Sequence, residues 1–143
     1  MECDAPEISR LLDKFHLSAS AADGHTYFDL FAPDGVFIGT DDSERWTLSE
    51  FKKFAEPHFS QGKGWSYLVA KRHVSLSAEG AVAWFDEQLD NAILGRTRGS
   101  GVLVKIRGDW KVAQYVLSIP IPNDLAKKVV SLIVPDAKEA LGR

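Results

Sequence analysis

Residues 81–120, AVAWFDEQLDNAILGRTRGSGVLVKIRGDWKVAQYVLSIP, decide the fold class. Within them, 81–90, 96–107 and 110–120 are rich in Val, Leu, Trp and Tyr, which suit a pleated, half-buried surface. Asn91-to-Gly95 and Gly108-Asp109 separate these runs, and the second pair is a hairpin turn signal. Residues 65–77 have the same character and are set off by Ala78-Glu79-Gly80. Four long strands in antiparallel succession are expected.

Upstream the periodicity changes to that of helices. Ile8, Leu11, Leu12 and Phe15 are helically spaced, so Glu7–Phe15 reads as a first helix with Pro6 in its first turn. A second helix is expected over 18–31, capped by Ser18 or Ser20 and ended by the turn Pro33-Asp34-Gly35. Val36-Phe37-Ile38-Gly39-Thr40 is a short strand, and Asp41-Asp42-Ser43 turns the chain into Arg45-Trp46-Thr47. Thr47 or Ser49 caps a third helix carrying Phe51, Phe54 and Phe59, with Glu50 in the capping box of Thr47 and Pro57 bending or ending it near Glu56. After Pro120-Ile121-Pro122 a last helix over about 123–134 carries Leu125, Val129, Leu132 and Ile133, with Asn123 as cap and Pro135 as stop. Helices, then meandering strands, then a closing helix mean α+β, with helices on one face of an antiparallel sheet.

The 143 residues match one domain, with 45% hydrophobic and 26% charged residues. A net charge of -3 argues against nucleic acid or an anionic membrane as the main partner. The single cysteine, Cys3, excludes an intramolecular disulfide, and His16, His25, His58 and His73 have no metal-ligand spacing. Asp41, Asp42 and Glu44 fit no calcium-loop spacing. No metal or cofactor is expected. The acidic, polar first ten residues are not a secretory signal, and no apolar run reaches membrane-spanning length, so a cytoplasmic protein is expected.

Several phrases together resemble the SnoaL-like branch of the nuclear-transport-factor-2 superfamily. They are Tyr27-Phe28-Asp29-Leu30-Phe31-Ala32-Pro33-Asp34-Gly35-Val36-Phe37-Ile38-Gly39-Thr40, Ser43-Glu44-Arg45-Trp46, Val82-Ala83-Trp84-Phe85-Asp86-Glu87, Ser100-Gly101-Val102-Leu103 and Gly108-Asp109-Trp110-Lys111-Val112. The resemblance covers about residues 7–121. It implies a cone-like curved sheet wrapped around the N-terminal helices, a pocket at the open end, and a homodimer through the outer sheet face. Reactions differ widely across that superfamily, so the frame names none. Its ketosteroid-isomerase branch implies a carboxylate base, a tyrosine and a protonated aspartate; these positions fall here at Gly39, Phe15 and near Val102. None carries the group.

The last strand adds its own argument for a dimer. Strict alternation puts Trp110, Val112 and Val116 on one face and Ala113, Tyr115, Leu117 and Ile119 on the other, and two apolar faces need two covers.

Asp86, two places from Trp84 and on its face, is the candidate general acid or base. Its alternative is a cross-strand ion pair with Arg72 or Lys71, while Glu87 competes for the same roles on the opposite face. Arg72, in an apolar row with Leu68, Ala70, Val74 and Leu76, either pairs internally or awaits an anionic ligand. Trp46 and Trp84 are placed at the pocket, with Phe54, Tyr27, Gln114 and Ser118 as further contacts. Asp86 and Arg72 are expected to reach the cavity and pair directly. Three readings follow: a module binding a small apolar or carboxylate-bearing molecule, a cofactor-free lyase, isomerase or cyclase, or a domain that only sets oligomer number.

Overall fold

The computed structural model describes residues 4–134; Cys3 and the stop expected at Pro135 lie outside them. Helix α1 spans Asp4–Ser20, running past the expected end at Phe15. Ile8, Leu12, Phe15 and Ala19, spaced by three or four residues, are all buried, which fixes the face that meets the sheet. The second expected helix is divided. Ala22 turns into the left-handed region (φ 56°), and a short α2, Gly24–Asp29, starts afresh from Asp23. Asp23, and neither Ser18 nor Ser20, is its cap; its carboxylate accepts the Thr26 N–H at 3.2 Å. Helix ends of this kind normally use glycine, so an alanine there left no sequence signal of the break.

Strand β1, Phe31–Ile38, absorbs Pro33-Asp34-Gly35 as an irregularity rather than a turn. Its pairing passes from Phe31↔Val112 to Val36↔Gln114, and a bulge of this sort tolerates proline's missing N–H donor. Strand β2, Arg45–Thr47, pairs antiparallel to β1. Helix α3, Leu48–Phe59, opens with the expected capping box of Thr47 and Glu50. Pro57 does not end it: the last turn continues to Phe59, which is buried against the core.

The four long strands form as expected: β3 Leu68–Leu76, β4 Val82–Asn91, β5 Gly95–Ile106 and β6 Asp109–Ser118. Each pairs antiparallel with the next, and the sheet order is β2-β1-β6-β5-β4-β3. The β1–β6 pair is parallel, so the curled, unclosed sheet is mixed rather than antiparallel throughout. Helix α1 lies against β3, and α3 against β1 and β2, on the concave face. A 3-10 turn, Asn123–Leu125, leads into α4, Ala126–Ile133; the Asn123 side chain does not cap it.

Two bulges overturn the facing argument made from strict alternation. In β6, Leu103 pairs with Val112 but Val102 pairs with Gln114, leaving Ala113 as the extra residue. Beyond it the side chains exchange faces. Trp110, Val112, Tyr115 and Leu117 therefore all point inward and are buried, while Val116, expected on the Trp110 face, points outward. In β3, Val69 pairs with Leu89 and Lys71 with Gln88, so Ala70 is bulged and Leu68 leaves the face of Arg72.

At the β6 bulge the backbone approaches Gly101 closely: a Cβ there would overlap the Gln114 carbonyl and crowd Phe85. Gly101→Ala is expected to destabilise the fold by about 2 kcal/mol through overpacking, read from urea denaturation; an unchanged midpoint would mean the bulge relaxes freely.

Candidate functional site

Strand β4 alternates cleanly. Ala83, Phe85, Glu87 and Leu89 are buried, while Val82, Trp84, Asp86, Gln88 and Asp90 are exposed. A carboxylate thus stands in the apolar row, and Glu87 is 1% exposed. Such a charge is stable only when fully partnered. Arg72 Nε donates to Glu87 Oε1 at 2.7 Å; His16 Nε2 at 2.6 Å and the Tyr115 hydroxyl at 2.8 Å both donate to Oε2. Gly99, paired with Glu87 across β4 and β5, leaves the room in which Tyr115 reaches the carboxylate. Arg72 also donates to the Ser9 carbonyl at 3.0 Å and to Asp13 at 2.8 Å, which ties α1 to the sheet.

Burial alone would raise the Glu87 carboxyl. The hydrogen bond and charge of His16, with those of Arg72, outweigh it and hold the group below its ordinary value. Burial first, and then the Glu87 charge, push the Tyr115 hydroxyl well above its ordinary value. Because Glu87 is an ionised acceptor, the hydrogen on His16 Nε2 is fixed toward it. The other ring nitrogen remains for a different partner.

His16 is also one wall of a cavity of about 180 Å³ between the helices and the β1, β2 and β6 strands. Phe15, Phe37, Phe51 and Tyr115 form its floor, Trp46, Phe54, Trp65 and Tyr67 surround it, and Gly39, Thr40 and Glu44 edge it. The rings stack in parallel, Phe37 on Phe51 at 4.2 Å and Trp46 on Phe54 at 4.5 Å between centroids. Tyr27 packs edge-on to Trp65 at 6.0 Å, and its buried hydroxyl has no hydrogen-bond partner among the described residues.

Of the residues expected at the pocket, Trp46, Phe54 and Tyr27 line it. Asp86 does not. It is exposed on the outer face opposite His73 and Ser100, so it neither reaches the cavity nor pairs with Arg72, whose carboxylate partner across the strands is Glu87. Trp84 shares that outer face and is 49% exposed, because even-numbered residues of β4 point away from the helices. Gln114 and Ser118 also face outward, paired with Val102 and Arg98. Arg72 points inward as expected, but Glu87, Asp13 and Ser9 engage its Nε and Nη1, its buried Nη2 has no partner among the described residues, and it is not part of the cavity lining. His16 had no distinguishing spacing in the sequence. Glu87 did carry a signal: it is the one charged residue in the alternating row Ala83, Phe85, Leu89.

The SnoaL-like domain family model matches residues 8–122. The chain belongs to this family. No curated protein matches the sequence. Solved structures similar to this SnoaL-like domain include an NTF2-like protein of unknown function from Pseudomonas putida KT2440. That match has 14% identity and a TM-score of 0.71, covering 87% of this chain and 92% of that one. A candidate dehydratase of the NTF2-like family from Streptomyces avermitilis is similar at 12% identity and a TM-score of 0.72, over 85% and 99%. A candidate scytalone dehydratase from Novosphingobium aromaticivorans is similar at 15% identity and a TM-score of 0.68, over 83% and 85%. At these identities the likeness establishes the fold and no reaction.

Within the SnoaL-like frame, Gly39 and Phe15 do line the cavity, and neither supplies a carboxylate or hydroxyl. Among the described residues no group of three or more His, Cys, Asp or Glu is placed to hold a metal ion, and no helix is long and apolar enough to cross a membrane.

The sign of the Glu87 effect on stability follows from its lowered value. The ionised carboxylate stabilises the native state above the ordinary carboxylate range, and this contribution is lost as pH falls through the folded value. Glu87→Gln is expected to cost about 3 kcal/mol at neutral pH, since it leaves Arg72 without its buried counter-charge. The deficit relative to wild type should shrink on acidification from about pH 5 to about pH 3, measured by denaturant unfolding. A deficit constant across that range would remove Glu87 as the source.

Proposed function

We propose that this SnoaL-like domain binds a small, largely apolar molecule in the ring-lined cavity. The observation that carries the reading is the lining: a partly open space of about 180 Å³ walled by aromatic side chains, with His16 held in place on its wall by Glu87. Ligand sites are typically apolar hollows with a few fixed polar groups, and a cavity of roughly 150 Å³ suffices for a single benzene ring. Trp46, Phe54 and Tyr27 are the contacts retained from the sequence. Trp46 and Trp65 also supply a readout, since both line the space. Single-ring neutral compounds such as toluene and 4-methylphenol should change tryptophan fluorescence saturably, and Trp46→Ala should weaken them about tenfold. Absence of saturable binding at millimolar concentration would exclude the reading.

A second reading is favoured by the His16–Glu87 contact of 2.6 Å. A histidine on a cavity wall, oriented by a buried carboxylate, has the arrangement of a general acid–base catalyst, and it takes that role from Asp86. Such a domain would be a cofactor-free lyase or isomerase, a class compatible with the candidate dehydratases that share its fold. Once a converted compound is found, His16→Gln should lower kcat by at least about a hundredfold with little change in binding. Unaltered kcat would leave binding as the whole function.

We also propose a homodimer through the outer sheet face. Trp84 and Val82 are exposed there, and their β5 partners Val102 and Val104 extend an apolar surface that the helices of the same chain leave uncovered. Trp84→Asp should then give a monomer by sedimentation velocity while leaving ring-compound binding in place. A wild-type monomer at micromolar concentration would refute the dimer.

A further inference from the structure

We propose that the cavity selects a small organic cation, an amine or quaternary ammonium, over neutral or anionic molecules of the same shape. The inference rests on the cavity reading above and adds the charge of the ligand. Its basis is the charge content of the walls. Among the described residues, no lysine or arginine lines the cavity. Arg72, the residue expected to receive a carboxylate, lies behind the wall and is neutralised by Glu87 and Asp13. The carboxylate at the edge is Glu44, half-buried beside Gly39, with Oε1 accepting the Asp41 N–H at 3.0 Å. Its field reaches Tyr67 on the surrounding wall: burial first, and the Glu44 charge second, raise that hydroxyl above its ordinary value.

Trp46, Phe54 and Trp65 line the same space as Glu44, and aromatic rings attract cations through their negative π faces. His16 does not reverse the balance, because its Nε2 hydrogen is directed at Glu87, whose carboxylate counters any charge on the ring. An anion entering this space would lose its hydration and meet Glu44 without a counter-charge. An ammonium would meet rings and a carboxylate. The sequence also carries a net charge of -3, which favours the approach of cations.

Three probes of nearly identical shape separate the possibilities: choline, 3,3-dimethylbutan-1-ol and 3,3-dimethylbutanoate, titrated into the full chain by calorimetry. The expected order is cation, then alcohol, then anion, with choline about tenfold tighter than the alcohol. Glu44→Gln, which keeps the acceptor for the Asp41 N–H, should weaken choline several-fold and leave the alcohol unchanged. Equal or tighter binding of the alcohol would overturn the cation preference and leave the cavity reading standing. Loss of both probes in Glu44→Gln would assign Glu44 a purely structural part and overturn its role. No binding of any of the three, or of the neutral ring compounds, would remove the cavity reading and this inference with it.

Discussion

A single buried negative charge organises this domain. Glu87 lies in an otherwise apolar row, where an unpaired carboxylate would cost several kcal/mol. Three donors from three elements meet it: Arg72 from β3, His16 from α1 and Tyr115 from β6. Because Arg72 continues to Asp13 and the Ser9 carbonyl, the same charge fixes how α1 seats on the sheet. A hydrophobic face alone allows a helix to slide or rotate by small amounts. A set of short, directional, charge-assisted bonds does not.

The seating of α1 in turn forms the cavity. Phe15 stacks on Tyr115 at 4.9 Å between centroids, and His16 is held against the wall by the bond to Glu87. Phe37 and Phe51 then complete the floor, while Trp46 and Phe54 close the side from β2 and α3. The chemistry available in this space follows from where the charges went. Arg72 is used within the framework, leaving Glu44 at the edge and a histidine whose hydrogen is already directed. The proposed preference for neutral or cationic guests over anions follows from the rings around those two groups.

The outer face is a separate consequence of the same strands. Since β4 alternates strictly, placing Glu87 inward places Asp86 and Trp84 outward, and one assignment decides the other. Choosing between them from sequence depends on which row is apolar. Ala83, Phe85 and Leu89 flank Glu87, whereas Val82 and Trp84 precede Asp86 and give way to Gln88 and Asp90. Trp84 made the outer row look like a pocket wall. The tryptophan instead lies half-exposed on the outer face, and the carboxylate next to it in that row is solvated.

Sequence by itself determined the class of fold and its order of elements. The strand runs ending at Gly108-Asp109, the Thr47–Glu50 capping box and the helical spacing of Ile8, Leu12 and Phe15 are local signals, and each formed where its chemistry requires. The family was legible for the same reason, because its phrases follow those elements. Tertiary structure alone decided which face each residue took after a bulge. Ala70 and Ala113 are ordinary alanines, and nothing about an alanine marks the extra residue that reverses the alternation beyond it. It also decided the partners of Glu87. His16, Arg72 and Tyr115 lie 71, 15 and 28 residues away in the chain, and only closure of the sheet over α1 brings their donors to one carboxylate.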